Sequence, residues 1–184
     1  MSAPMPSHAT LFDMLLGSCQ TYAERSAFIY RAAGSEFVVS YEKLFDDALI
    51  LAKAFAAHKI VKGSRVMLLS DNRYGWIVTD FALLSLGAIS VPRGSDTPTQ
   101  ELEYILTHAD CEFLIIETEA LLKAHSAMLK KRRNLRAIFV IEGEKTHRWF
   151  ASSYSYNDIL AERRISLGDR EDFIARRYAL NLED

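Results

Sequence analysis

Glycine is scarce where phosphate chemistry would need it crowded. The eight glycines (17, 34, 63, 75, 87, 94, 143 and 168) are scattered over 184 residues, and the closest pair, Gly87 and Gly94, lies seven apart. A phosphate cradle needs neighbouring glycines so that successive backbone N–H groups converge on one anion. Neither G-x-G-x-x-G nor G-x-x-x-x-G-K-[ST] can be written on this chain. The G-x-S-x-G nucleophile elbow is absent too. Cysteine is equally thin. Cys19 and Cys111 have no neighbour at C-x-x-C spacing, which excludes zinc and redox motifs of that kind. They read as free thiols of a reducing, cytoplasmic compartment. The histidines (8, 58, 108, 125 and 147) never pair at i, i+4, so H-E-x-x-H is excluded and each reads as structural. No run approaches the ~20 apolar residues of a spanning helix. Residues 1–8, with Pro4 and Pro6, carry no signal-peptide pattern. Peripheral contact with the inner face of a membrane stays open. Basic excess is missing as well: 22 Lys+Arg stand against 24 Asp+Glu, a net charge of −2, which excludes a global nucleic-acid footprint.

What remains is a globular composition, 49% hydrophobic and 25% charged. A chain this long buries roughly 70% of its unfolded surface and needs no metal or disulfide staple. Thr10 caps a predicted helix over 10–25, with Leu11, Leu15, Cys19 and Tyr22 on one stripe. Ala27–Ala32 and Glu36–Val39 flank Gly34 as a hairpin. Ser40 caps a long helix over Tyr41–His58. From Arg65 the chain alternates. Strands are predicted at Arg65–Leu69, Ile89–Val91, Phe113–Ile116 and Ala137–Ile141. Helices are predicted at Arg73–Leu86, capped by Asp71 or Asn72, and at Glu119–Arg132, capped by Thr118. A third runs to Ala109 from Thr97 as N-cap, with Pro98 at N1 and Gln100 completing a capping box. Two short helical patterns, 157–164 and 169–179, close the chain. The fold class is therefore α/β, with a mainly parallel sheet and helices on both faces. Leu68, Leu69, Phe81, Leu84, Val91, Leu114, Ile116, Phe139 and Ile141 are the expected core.

Three charged or unusual features invite a functional reading. Asp46-Asp47 and Glu171-Asp172 are adjacent, so they do not face each other on a helix and read as solvated charge. Lys130-Lys131-Arg132-Arg133 could meet phosphate, nucleic acid or anionic lipid. It also falls at a predicted helix end, where cations complement the macrodipole, and that structural reading is preferred. Pro92-Arg93-Gly94-Ser95-Asp96-Thr97-Pro98 follows a strand and opens a helix. Its position suits ligand contact at a sheet's carboxyl edge, and its composition suits a plain connection; the second is preferred.

Three stretches carry a family resemblance. Val39-Ser40-Tyr41-Glu42-Lys43-Leu44 resembles the T/S-Y-x-x-L segment of adenylate-forming (AMP-binding) enzymes. Ser70-Asp71-Asn72 followed by Trp76 resembles their S-x-N element. Leu84-Ser85-Leu86-Gly87-Ala88-Ile89-Ser90-Val91-Pro92 resembles L-x-x-G-A-x-x-V-P, and the V-P-R-G-S-D-T-P wording is similar to long-chain fatty acyl-CoA synthetases. The resemblance implies ATP-, magnesium- and coenzyme A-dependent ligation of a fatty acid. The carboxylate attacks the α-phosphate of ATP, giving acyl-adenylate and pyrophosphate, and a thiol then displaces AMP. It further implies that residues 1–9 are a disordered leader. Residues 10–184 would be the incomplete N-terminal portion of the large domain, ending before the Gly/Ser/Thr-rich phosphate loop. On that reading no catalytic, cofactor-binding or metal-binding residue falls on this chain. The piece alone is expected to be inactive, to bind no cofactor and to self-associate through exposed apolar surface. The alternatives are a naturally short, non-catalytic binding or regulatory module on the same half-fold, or a sibling such as a fatty-acid AMP ligase or aryl-acid ligase.

Overall fold

A computed structural model describes residues 10–32, 34–143, 150, 152–162, 165–176 and 180. Residues 1–9, read from the sequence as a leader, lie outside them. Two β-sheets and seven helices make up the described chain. Helix α1 (Leu11–Thr21) leads into an antiparallel ribbon of β1 (Ser26–Ala32) and β2 (Ser35–Ser40), then α2 (Tyr41–Ala57). A parallel sheet follows, built from β3 (Arg65–Leu69), β4 (Ile89–Arg93), β5 (Phe113–Thr118), β6 (Ala137–Glu142) and β7 (Ser153–Ser155). Between them run α3 (Tyr74–Ser85), α4 (Thr99–His108) and α5 (Glu119–Leu129). Helices α6 (Tyr156–Glu162) and α7 (Leu167–Ala175) come last. The spatial strand order is β4-β3-β5-β6-β7.

Each strand of the parallel sheet alternates its side chains between two cores. Val66, Leu68, Phe113, Ile115, Phe139 and Ile141 face one core, shared with α1, α2, α3, α6 and α7. Met67, Leu69, Leu114, Ile116, Ile138 and Val140 face the other, shared with α4 and α5. The sheet thus has helices on both faces. Of the expected core, Phe81, Leu84 and Val91 are only partly buried, because α3 and the edge strand β4 have one side without a packing layer. Gly75 lets α3 approach β6 closely, since a Cβ there would press into the Ile141 side chain.

Local chemistry explains the boundaries. Thr10, Ser40 and Thr118 each accept a backbone N–H three residues on, as N-caps do. Ser166 and Asp169 form a full capping box at α7, a start two residues earlier than the pattern 169–179 suggests. Two expected caps are not there. Helix α3 begins after an extended Arg73, and neither Asp71 nor Asn72 caps it. Helix α4 begins after an extended Pro98, so the Thr97–Gln100 capping box does not form. Thr97 instead closes its own turn, giving both its N–H and its hydroxyl to the Gly94 carbonyl. Pro92 sits inside β4 rather than after it; the strand is an edge, where the missing N–H costs nothing. Strand β7 escaped the sequence pattern because three residues, SYS, carry no apolar signature.

Helix α7 packs back on α1 and α2. Phe173 is fully buried, in edge-to-face contact with Phe12 and Phe45 at 5.2 Å each. Lys53 pairs with Asp169, and Arg170 pairs with Asp46 (2.7 Å) and Glu42 (3.5 Å). Bonds from Lys53 and Ser166 hold the Asp169 carboxyl down to about 2. The solvated reading of Asp46-Asp47 is therefore wrong. Asp47 is buried, paired with Lys43 and accepting the Tyr74 hydroxyl at 2.8 Å. Burial, with help from Asp47, raises the Tyr74 phenol above its usual range. Burial likewise raises the Asp46 carboxyl, against the pull of Arg170. Glu171 and Asp172 are exposed, as read.

Candidate functional site

The strand order sets where a ligand would meet this sheet. The chain leaves β3, places β4 on one side, then crosses to place β5 on the other. Helix α3 goes to one face and α5 to the other, so the loops after β3 and β5 part at the carboxyl edge. In open α/β sheets that parting is the usual ligand crevice.

Here a side chain fills it. Glu117, near the end of β5, is buried and accepts the Asp71 N–H at 2.8 Å and the Ser70 hydroxyl at 3.2 Å. Its other oxygen pairs with Arg73 at 2.7 Å, and Arg73 also reaches Glu142 at the end of β6. Ser70, Asp71 and Arg73 are thus pinned across three strand ends. Asp71 in turn accepts the Ser95 N–H at 2.9 Å, which lowers its carboxyl below the usual range. That bond ties the Ser70-Asp71-Asn72 element to the Pro92–Pro98 loop. Beside it opens a shallow cleft of about 310 Å³, lined by Ser70, Asn72, Trp76, Pro92, Arg93 and Gly94. The two segments singled out in the sequence therefore meet in space.

The edge does not fit a nucleotide phosphate or its magnesium. The Asp71 and Ser95 N–H groups, which a phosphate would need, are already given to carboxylates. Among the described residues no three His, Cys, Asp or Glu side chains gather as a metal site. No nucleophile stands out either. Burial pushes the Cys19 thiol up to about 12 and the Cys111 thiol up to about 11, and both are free and buried. Such thiols stay protonated and inert at neutral pH. Glu117 was missed in the sequence because a lone carboxylate at a strand end carries no local motif.

The histidines resolve as packing groups where they are described. His58 lies 4.0 Å from the Tyr154 ring, and His108 stacks on Tyr104. His8 and His147 lie outside the described residues. His125 is buried, with Nδ1 3.0 Å from the Thr99 hydroxyl, joining α5 to the start of α4. Burial lowers its proton affinity below the ordinary 6.5. The unfolded chain then binds more protons than the folded one just below pH 6.5, so stability falls as pH drops through that range. Urea midpoints at about pH 7.5 and about pH 5.5 should show this loss, and His125→Gln should flatten it. An unchanged slope in that variant would refute the assignment.

Arg132 of the basic run donates to the Leu106 carbonyl (3.1 Å) and the Thr107 hydroxyl (2.7 Å) at the end of α4. Helix α5 ends at Leu129, not Arg132, so the rest of the run lies beyond it.

The chain matches the AMP-binding enzyme family over residues 16–170. It is 23% identical over 152 residues to a long-chain-fatty-acid–[acyl-carrier-protein] ligase of Arabidopsis thaliana, covering 80% of this chain and 21% of that one. It is 27% identical over 169 residues to an acyl-CoA ligase of Ajellomyces capsulatus, covering 84% and 28%. It therefore spans between a fifth and three-tenths of these relatives' lengths. In structure it resembles a long-chain-fatty-acid-CoA ligase from Archaeoglobus fulgidus, with a TM-score of 0.70 and 20% identity, covering 89% of this chain and 32% of that one. The fold corresponds to the N-terminal portion of such structures. The chain belongs to the AMP-binding enzyme family.

Proposed function

We propose that this chain is the N-terminal portion of an AMP-forming acid–thiol ligase that activates long-chain fatty acids. In this reading ATP, magnesium and coenzyme A act in the whole protein, and residues 10–184 supply the N-terminal portion of its large domain. The observation that carries the reading is the family match over residues 16–170, joined to relatives named for acyl ligation. The described residues contribute a rigid carboxyl edge: Glu117 and Asp71 fix two loops in one arrangement. In this reading the reacting groups are supplied by the rest of the protein; the scattered glycines are the feature that supports it.

The test uses the complete reading frame, purified and given ATP, magnesium, coenzyme A and a series of fatty acids. Coenzyme A-dependent AMP release with long-chain acids is expected. Preference for an aryl acid, or acyl-adenylate that is never passed to coenzyme A, would replace this reading with a sibling ligase. The 184-residue chain alone is expected to form no acyl-adenylate; its detection would overturn that part.

A further inference from the structure

Helix α3 is composed unlike its neighbours. Helices α2, α4 and α5 turn charged residues to solvent, among them Lys43, Glu103 and Lys123. The 12 residues of α3, YGWIVTDFALLS, hold one charge, Asp80, and none of them is fully exposed. Val78, Thr79 and Ala82 are buried on its inner side. Trp76, Ile77, Phe81 and Leu84 fall on the opposite stripe and are half-buried. A helix that is apolar on nearly every side belongs in the interior of a larger packed body. Strand β4 is the edge of the sheet, so no further described strand carries a layer over this stripe.

Asp80 lies within that stripe, between Ile77 and Leu84. It is half-buried, and among the described residues no Lys or Arg pairs with it. Arg73, two turns earlier, is committed to Glu117 and Glu142. The polar neighbour of Asp80 is the Ser90 hydroxyl of β4, which is buried and lacks a well-formed hydrogen bond. Burial raises the Asp80 carboxyl above its ordinary 3.8, and Ser90 offsets this only in part. Two polar groups on one apolar face are thus left incomplete. A desolvated carboxylate without a counter-ion is costly, and a cation brought to it offsets that cost.

We propose that α3 is the docking face for the remainder of the complete protein, which lays an apolar segment over Trp76, Ile77, Phe81 and Leu84 and seats one Lys or Arg on Asp80 and Ser90. This rests on the ligase reading. The chain spans under a third of the length of each acyl ligase relative named above, so such a protein has ample further chain to supply the segment. A second copy of this chain fits the face less well. It would bring the same stripe, and so a carboxylate rather than a cation, to Asp80. Trp76 also lines the carboxyl-edge cleft, so the docked segment stands beside that cleft.

The test compares the 184-residue chain with the complete protein. Hydroxyl-radical labelling of Trp76 and Phe81 should be clear in the first and lost in the second. Asp80→Asn should leave the urea midpoint of the 184-residue chain unchanged or raise it, since it removes a desolvated charge that has no counter-ion. In the complete protein the same change strands a cation, so the midpoint should fall and Phe81 labelling should return. Equal labelling of the two proteins would overturn the docking face. An Asp80→Asn effect of the same sign and size in both would overturn the cation. Coenzyme A-dependent AMP release is measured in parallel. A complete protein that releases AMP yet leaves Phe81 labelled sinks this inference alone; protection of Phe81 without AMP release sinks the ligase reading alone.

Discussion

Replacing Phe173 with alanine should cost about 3–5 kcal/mol of stability, the usual range for a large side chain removed from a packed core. Phe173 is the one fully buried residue of α7, and both Phe12 and Phe45 meet it edge-on. No nearby group can fill the space without moving α1 or α2. The ion pairs at Lys53 and Arg170 cannot compensate, since pairs open to solvent add little to stability. Urea denaturation followed by circular dichroism would measure the loss. Leu167→Ala, at a position 79% exposed on the same helix, should change stability by no more than about 0.5 kcal/mol. A Phe173→Ala loss below about 1 kcal/mol would mean that α7 is not docked as described.

The second large effect is expected at Glu117. Alanine there leaves the Asp71 N–H and the Arg73 guanidinium short of an acceptor, while the Ser70 hydroxyl keeps the Asp71 carbonyl at 3.0 Å. Stranding one partner of a buried pair costs about 3–5 kcal/mol; Arg73 keeps Glu142 and some solvent, so about 2–4 kcal/mol is expected here. Glu117→Gln keeps an acceptor for Asp71 and should cost less, about 1–2 kcal/mol. Amide exchange at Asp71 and Ser95 gives a local readout. It should accelerate strongly in Glu117→Ala and only slightly in Glu117→Gln. Unchanged exchange in the alanine variant would show that the edge is held by something else.

The elements read well from the sequence where apolar period and caps agreed. Ser40 and the stripe from Leu44 to Phe55 announce α2, and the RVMLL run announces β3 to the residue. Caps were misread where a polar side chain had a distant partner to prefer. Asp71 could cap α3 by position, yet its carboxylate goes to Ser95, 24 residues on. The same holds for the site. The sequence placed Ser70-Asp71-Asn72 and the Pro92–Pro98 loop separately, and only the strand order brings them together. Glu117 and Asp47 were invisible because burial of a lone acid is decided by tertiary partners such as Arg73 and Tyr74.

The contact between Phe12 and Phe173 joins the first described helix to the last one. It therefore closes a loop that spans nearly all of the described chain. Loop closure becomes costlier with length, and a parallel sheet adds further non-local pairings. Such contacts are expected late in folding, after the sheet has brought α2 and Phe45 into place. During synthesis, the Phe12 ring of α1 would wait without its Phe173 partner until α7 is made. That interval, rather than the finished structure, is when this chain would be most exposed to aggregation.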